Sequence, residues 1–220
     1  MNFSAQLLPA IWLWASHFLF FSWLGYALWR APWQHLFNSD DSHIFFSSCL
    51  ALFLLWQLSG GITAGMEFHL LLVTTLTLMF GWQFATIAIS LIQLCLTITG
   101  YAEWGSYSLN ALCNGIVPIA MTYIIYWLAF MSLPHHFFIY IFICAFLGGA
   151  LSMLSSRLAG LIVLLGSHSY HLADLGDQPL FIIVMLFPEA FINGMLITLL
   201  VVYKPQWVSS FSDKRYLHGK

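Results

Sequence analysis

The sequence predicts an all-α integral membrane protein of about seven transmembrane helices, with an extracytoplasmic N-terminus and a cytoplasmic C-terminus, and three observations lead there. Of its 220 residues, 61% are hydrophobic, well above the roughly 45–50% of an ordinary soluble domain. Only 6% are charged, against about a quarter in a globular chain, which leaves too little polar surface to cover a water-soluble particle. Apolar runs near the length a bilayer demands, about 20 residues, recur along the chain.

The runs fall at residues 7–29, 44–62, 68–82, 84–100, 111–132, 137–156 and 179–203. The third and fourth are divided only by Gly81 and Gln83 in "FGWQFA", so the spacing predicts a tight helical hairpin there. Residues 157–166, "RLAGLIVLLG", are apolar but cover only about half a membrane, as a half-helix, a re-entrant piece or an extension of the sixth helix. Residues 1–203 read as one multipass membrane domain and 204–220 as a short basic cytoplasmic tail. Residues 1–10 carry no Lys or Arg and Arg30 follows the first run, which inverts the layout of a signal peptide.

The basic residues orient the spans. With the N-terminus outside, Arg30, Lys204, Lys214, Arg215 and Lys220 all fall on the cytoplasmic side and Arg157 alone falls outside. Trp33, Trp104 and Trp207 sit near predicted ends, as interfacial anchors do. The net charge of −2 and the lack of a basic stripe exclude a nucleic-acid surface. Four cysteines, Cys49, Cys95, Cys113 and Cys144, lie in apolar runs without CxxC spacing and read as small apolar residues. Hydrolytic and nucleotide motifs are missing, so no enzyme chemistry is expected.

Polar groups collect on the predicted outer side: Glu67, His69, Glu103, His168, His171, Asp174 and Asp177. Carboxylates and imidazoles on an otherwise uncharged face attract cations, and imidazole suits nickel, cobalt, copper and zinc. His168, His171 and Asp174 in "HSYHLADLGD" are external metal-attracting candidates or simply solvated loop residues. His168 and His171, three apart, would share a face if that stretch were helical. His69 begins an apolar run; it either faces a cavity or bonds a backbone carbonyl at the interface.

Within the last span, Glu189 follows Pro188 and stands four residues before Asn193, as a proton or cation relay or as a hydrogen-bond node between helices. Asn110 and Asn114 enter the fifth span as polar helix glue. His17, inside the first span, is either a haem ligand or a helix–helix hydrogen-bonding group.

Several stretches resemble the cobalt- and nickel-specific membrane subunits of energy-coupling-factor transporters, the CbiM/NikM family. "GMEFHLLLV" (65–73) is similar to the family's "GTSGHLLGG" and aligns Gly65 and His69 with its glycine and metal-binding histidine. "MNFSAQLLPAIWLWA" resembles the "MHIPDGYLSP" start, and "LNALCNGIVP" (109–118) is similar to "ANIFNMGVVGP". "PEAFINGMLITLLVV" resembles the last span.

The resemblance implies a metal permease of about seven helices, with no intrinsic cofactor, that takes up a divalent transition metal across a bacterial inner membrane. It implies a coupling membrane subunit and a cytoplasmic ATPase as partners besides membrane lipid. In that family the N-terminal segment tucks in, so that the terminal amine, the second residue's nitrogen and its imidazole bind metal together with the later histidine. Carried over, the ligands are Met1 by its amine, Asn2 by its backbone, and His69; Met66 and Glu67, where the family has Thr and Ser, could add a thioether and a carboxylate and so change the metal preference. Asn2 departs from the pattern because it has no imidazole, and a neutral amide oxygen is a poor nickel or cobalt ligand. The alternative is a non-transporting scaffold or assembly factor that reuses the fold.

Overall fold

A computed structural model describes residues 2–36, 39–60, 67–212 and Tyr216. Among these residues the architecture is all-α, with one isolated antiparallel bridge between Gly60 and Phe68. Five helices are long and apolar enough to cross a membrane: Ala10–Arg30, Val73–Ile98, Tyr107–Ser132, Phe137–Gly166 and Leu180–Tyr203. A shorter apolar helix covers Ser42–Trp56. In chain order we label the main helices α1 (Ala10–Arg30), α2 (Ser39–Trp56), α3 (Val73–Ile98), α4 (Tyr107–Ser132), α5 (Phe137–Gly166) and α6 (Gln178–Tyr203). Their outward faces carry exposed apolar side chains such as Trp14, Phe18, Ile183 and Phe187, as lipid-facing surfaces do.

Proline sets several helix limits. Ala31 before Pro32 and Leu133 before Pro134 are both extended, which stops α1 and the α4 helix. Inside α4, Pro118 has no N–H with which to close the turn onto Asn114. The helix meets it by widening to π pitch over Leu112–Ile116, where the Val117 N–H reaches back to the Leu112 carbonyl. The α5 and α6 helices approach closely because Gly149 and Gly194 lack side chains: a Cβ on Gly194 would stand 2.1 Å from the Phe146 ring.

α3 is the axis of the bundle and is not one straight rod. Gly81 has φ 78° and ψ 166°, a conformation open essentially to glycine alone. A straight helix of 26 residues would run about 39 Å. Yet His69, just before α3, and Leu96, near its end, line the same small cavity. The two arms, 73–80 and 82–98, therefore double back at Gly81, as the sequence led one to expect.

The last carbonyls of the first arm are capped from far along the chain. Ser209 N donates to the Met79 carbonyl (2.9 Å), and Ser210 N (3.2 Å) and Oγ (2.7 Å) donate to that of Leu78. Residues 205–211 thus fold back onto the bundle and bury Val208 and Phe211. At the start of the first arm, Thr74 Oγ1 bonds Thr122 of α4 and Ser152 of α5, each at 2.8 Å.

Of the three readings of the run at 157–166, the structure bears out the extension of the sixth apolar run: α5 continues to Gly166. One expectation is corrected. Arg157, expected in an outer loop, lies inside α5 and is 1% exposed. The reason is that the backbone carbonyls of residues 67 and 69, in a non-helical segment, receive its guanidinium, as described below.

Candidate metal site

The residues before α3 supply the centre of the site. Residues 67–72 are not helical: Phe68 pairs with Gly60 (N to O 2.7 and 3.0 Å), and Leu72, in the left-handed region at φ 50°, starts α3 without a capping side chain of its own. His69 is buried within this segment, its ring 4.9 Å from that of Trp56, whose indole N–H donates to the Leu71 carbonyl at 3.1 Å. His69 Nδ1 is 3.3 Å from the Leu70 carbonyl oxygen. A proton on Nδ1 is donated to that oxygen, which puts the ring's lone pair on Nε2, the form in which imidazole binds metal.

The N-terminal segment is fastened beside it. Asn2 Nδ2 donates to the Tyr101 carbonyl and Asn2 Oδ1 accepts from Asn110 Nδ2 (3.1 Å). The buried Phe3 N–H donates to Asn110 Oδ1 at 2.9 Å. Glu103 takes the next two donors, Ser4 Oγ and Ala5 N, both at 2.7 Å. Asn110 is thus an anchor for the N-terminus, and Glu103, on the sequence one of the cation-attracting carboxylates, is a second.

Asn2, Trp56, Glu67, His69, Gln93 and Asn114 line one cavity of about 30 Å³. That is room enough for a water molecule or a small ion. Asn114 reaches the cavity from the π-helical turn of α4, the kind of local widening that recurs at functional sites. Glu67 contributes a half-buried carboxylate that accepts from Ser59 Oγ at 3.3 Å.

Among the described residues no three His, Cys, Asp or Glu side chains converge as a metal site. Met1 and Met66, together with Gly61 and Gly65 of the glycine-rich stretch, lie outside the described residues.

The external candidates do not join this centre. His168 is an exposed turn residue at φ 57°, and His171 caps a short 3-10 helix, Leu172–Leu175, in which Asp174 accepts the His171 N–H at 2.8 Å. They share no α-helical face. His17 Nδ1 pairs with Ser108 Oγ at 2.7 Å, a bond between α1 and α4.

Glu189 is a hydrogen-bond node between helices. Its carboxylate accepts the N–H groups of Leu71 (2.8 Å) and Leu72 (2.7 Å), capping α3 from α6. Asn193 supports it: Nδ2 donates to the Glu189 carboxylate (2.9 Å), and Oδ1 accepts from Thr75 N (2.9 Å). The sequence reading missed Arg157, which donates to the carbonyls of Glu67 (3.1 Å) and His69 (3.2 Å) and lies 5.3 Å over the Phe68 ring. The signal was present: an arginine followed by an apolar stretch at membrane depth needs a partner.

A family model described as CbiM, cobalt uptake substrate-specific transmembrane region, matches residues 2–207. No curated protein and no solved structure matches the chain.

Proposed function

Since the chain belongs to the CbiM family, whose members are components of cobalt uptake, we propose that it is the substrate-binding permease subunit for a divalent transition-metal ion of the nickel or cobalt type. His69 is the side-chain ligand through Nε2, and the Met1 amine and the Asn2 backbone complete a nitrogen-rich set, with Glu67 and Met66 as additional ligands. The observation that carries this reading is that Asn2 and His69 line one cavity of about 30 Å³, together with the polar side chains of Glu67, Gln93 and Asn114. A ligand set that draws on backbone nitrogen suits nickel and cobalt better than the oxygen-seeking magnesium or calcium.

In this reading α1, α2, the first arm of α3 with the extended residues 67–72 before it, the second arm, α4, α5 and α6 make seven crossings of a bacterial inner membrane, with the N-terminus outside. Burial of Arg157 removes it from the loop charges, so the remaining basic residues all fall on the cytoplasmic side. No nucleotide motif is present in the sequence, and the energy comes from a coupling membrane subunit with a cytoplasmic ATPase.

Titration calorimetry of detergent-purified protein with nickel, cobalt, copper and zinc tests the proposal. Wild type binds one of these metals, and His69→Ala weakens that binding by at least about tenfold. Equal, negligible binding by both proteins overturns it. One observation favours the rival reading, a non-transporting scaffold: the Asn2 amide is engaged by Tyr101 and Asn110 and not turned to a ligand role. Copurification with a stoichiometric membrane partner, without metal or ATPase, is the outcome that reading requires.

A further inference from the structure

Two buried charged side chains, Arg157 of α5 and Glu189 of α6, converge on the segment that carries His69. They act on adjacent peptide groups. Arg157 donates to the His69 carbonyl, which fixes the peptide plane between His69 and Leu70. Glu189 accepts the Leu71 N–H, which fixes the next plane, between Leu70 and Leu71. In a planar trans peptide the N–H and C=O point in opposite directions. Holding the Leu71 N–H on Glu189 therefore turns the Leu70 carbonyl away from α6, and that carbonyl is the oxygen facing His69 Nδ1.

We propose that Arg157 and Glu189 are positioning residues for the metal-binding imidazole, clamping the two peptide planes beside Leu70 so that the Leu70 carbonyl holds His69 in its Nδ1–H tautomer. The proposal deepens the metal-permease reading and rests on it for the role of His69 as ligand.

Three features separate this clamp from ordinary helix glue. Neutral side chains suffice to cap a helix, whereas an ionisable group in this setting is costly; both charged groups of the clamp are buried, at 1% exposure for Arg157 and 0% for Glu189. The guanidinium is oriented by the loop and not by its own solvation, because Arg157 Nε has no hydrogen-bond partner while both terminal nitrogens bond loop carbonyls. The carboxylate is itself held, since Asn193 Nδ2 bonds both its Oε1 and the Glu189 carbonyl. Metal-binding histidines depend on such outer partners to fix tautomer and ring direction.

The test combines a spectroscopic readout with metal titration. Among the nine histidines of the chain, His69 is assigned in nitrogen-15 spectra of metal-free, histidine-labelled protein by its loss in His69→Gln. Wild type shows the Nδ1–H tautomer. In Glu189→Gln one carboxylate oxygen is replaced by an N–H₂ that repels a backbone N–H, so the His69 signal moves towards the Nε2–H form and nickel affinity falls by about tenfold or more.

Arg157→Lys keeps the charge but loses the two-pronged bond; it shifts the tautomer less, and decides the question should Glu189→Gln not accumulate. Helical circular dichroism and a monodisperse elution profile establish that each variant is folded. A wild-type tautomer and wild-type affinity in the folded variants overturn the clamp. If wild type binds none of the metals while the tautomer still shifts, the permease reading fails and the clamp stands.

Discussion

Asn110 and Asn2 show how much of the site is built by single amides. Asn110 accepts the buried Phe3 N–H and donates to Asn2, so one side chain holds the first residues against the cavity. Asn110→Ala leaves that N–H unpaired, at a cost of about 1–3 kcal/mol. The expected outcome is a lower melting temperature in detergent and faster proteolysis of the N-terminal segment; wild-type behaviour in both would show the anchor to be redundant. At position 2, Asn2→His supplies the imidazole that the family pattern carries, and nickel binding tighter than wild type is expected by calorimetry. Unchanged binding would mean that this side chain points at Tyr101 and Asn110 whatever its chemistry. His69 was legible as a candidate because nothing polar follows it for the next few residues. Arg157 was not, because reading the apolar run as ending at 156 placed it in solvent.

At the scale of elements, two glycines control the packing. Gly81 turns α3 back on itself with φ 78° and ψ 166°. Gly81→Ala forces a Cβ into a region closed to it, for about 1–3 kcal/mol. A melting temperature equal to wild type would contradict the hairpin geometry. Gly194 admits the Phe146 ring between α5 and α6. Gly194→Ala overpacks that contact by about 1–3 kcal/mol, and Phe146→Leu in the same chain recovers part of the loss; additive losses in the double variant would place the two residues apart. The hairpin was readable from Gly81, since glycine is the residue that tolerates a positive φ. The helical continuity of α5 through Arg157 was one of three readings left open, because a charge inside an apolar run does not show whether the helix ends there unless its partners are known. Those partners are the carbonyls of Glu67 and His69, far away in sequence.

For the whole molecule, the cavity lies where the N-terminal segment meets the start of α3, while residues 205–211 cap the Gly81 end. The proposed orientation makes these the outer and inner faces. Cysteine introduced at the exposed His171, with the native cysteines replaced, is then labelled in intact cells by a membrane-impermeant reagent, and a fluorescent protein fused after Lys220 folds and fluoresces in the cytoplasm. Labelling only after lysis would reverse the topology and place the cavity on the cytoplasmic side.

Composition and apolar run length were enough to determine the all-α membrane class, because a bilayer tolerates few backbone solutions and all of them leave a hydropathy record. The glycine-histidine pattern was enough to single out His69. Only the tertiary structure decided that Glu103 and Asn110 anchor the N-terminus, that His168, His171 and Asp174 stay apart from the cavity, and that Arg157 and Glu189 meet at residues 67–72. The physical reason is that each of these depends on which unpaired backbone groups lie nearby in space. A sequence shows where a polar side chain stands along the chain; the carbonyl or N–H it satisfies is fixed when the helices pack.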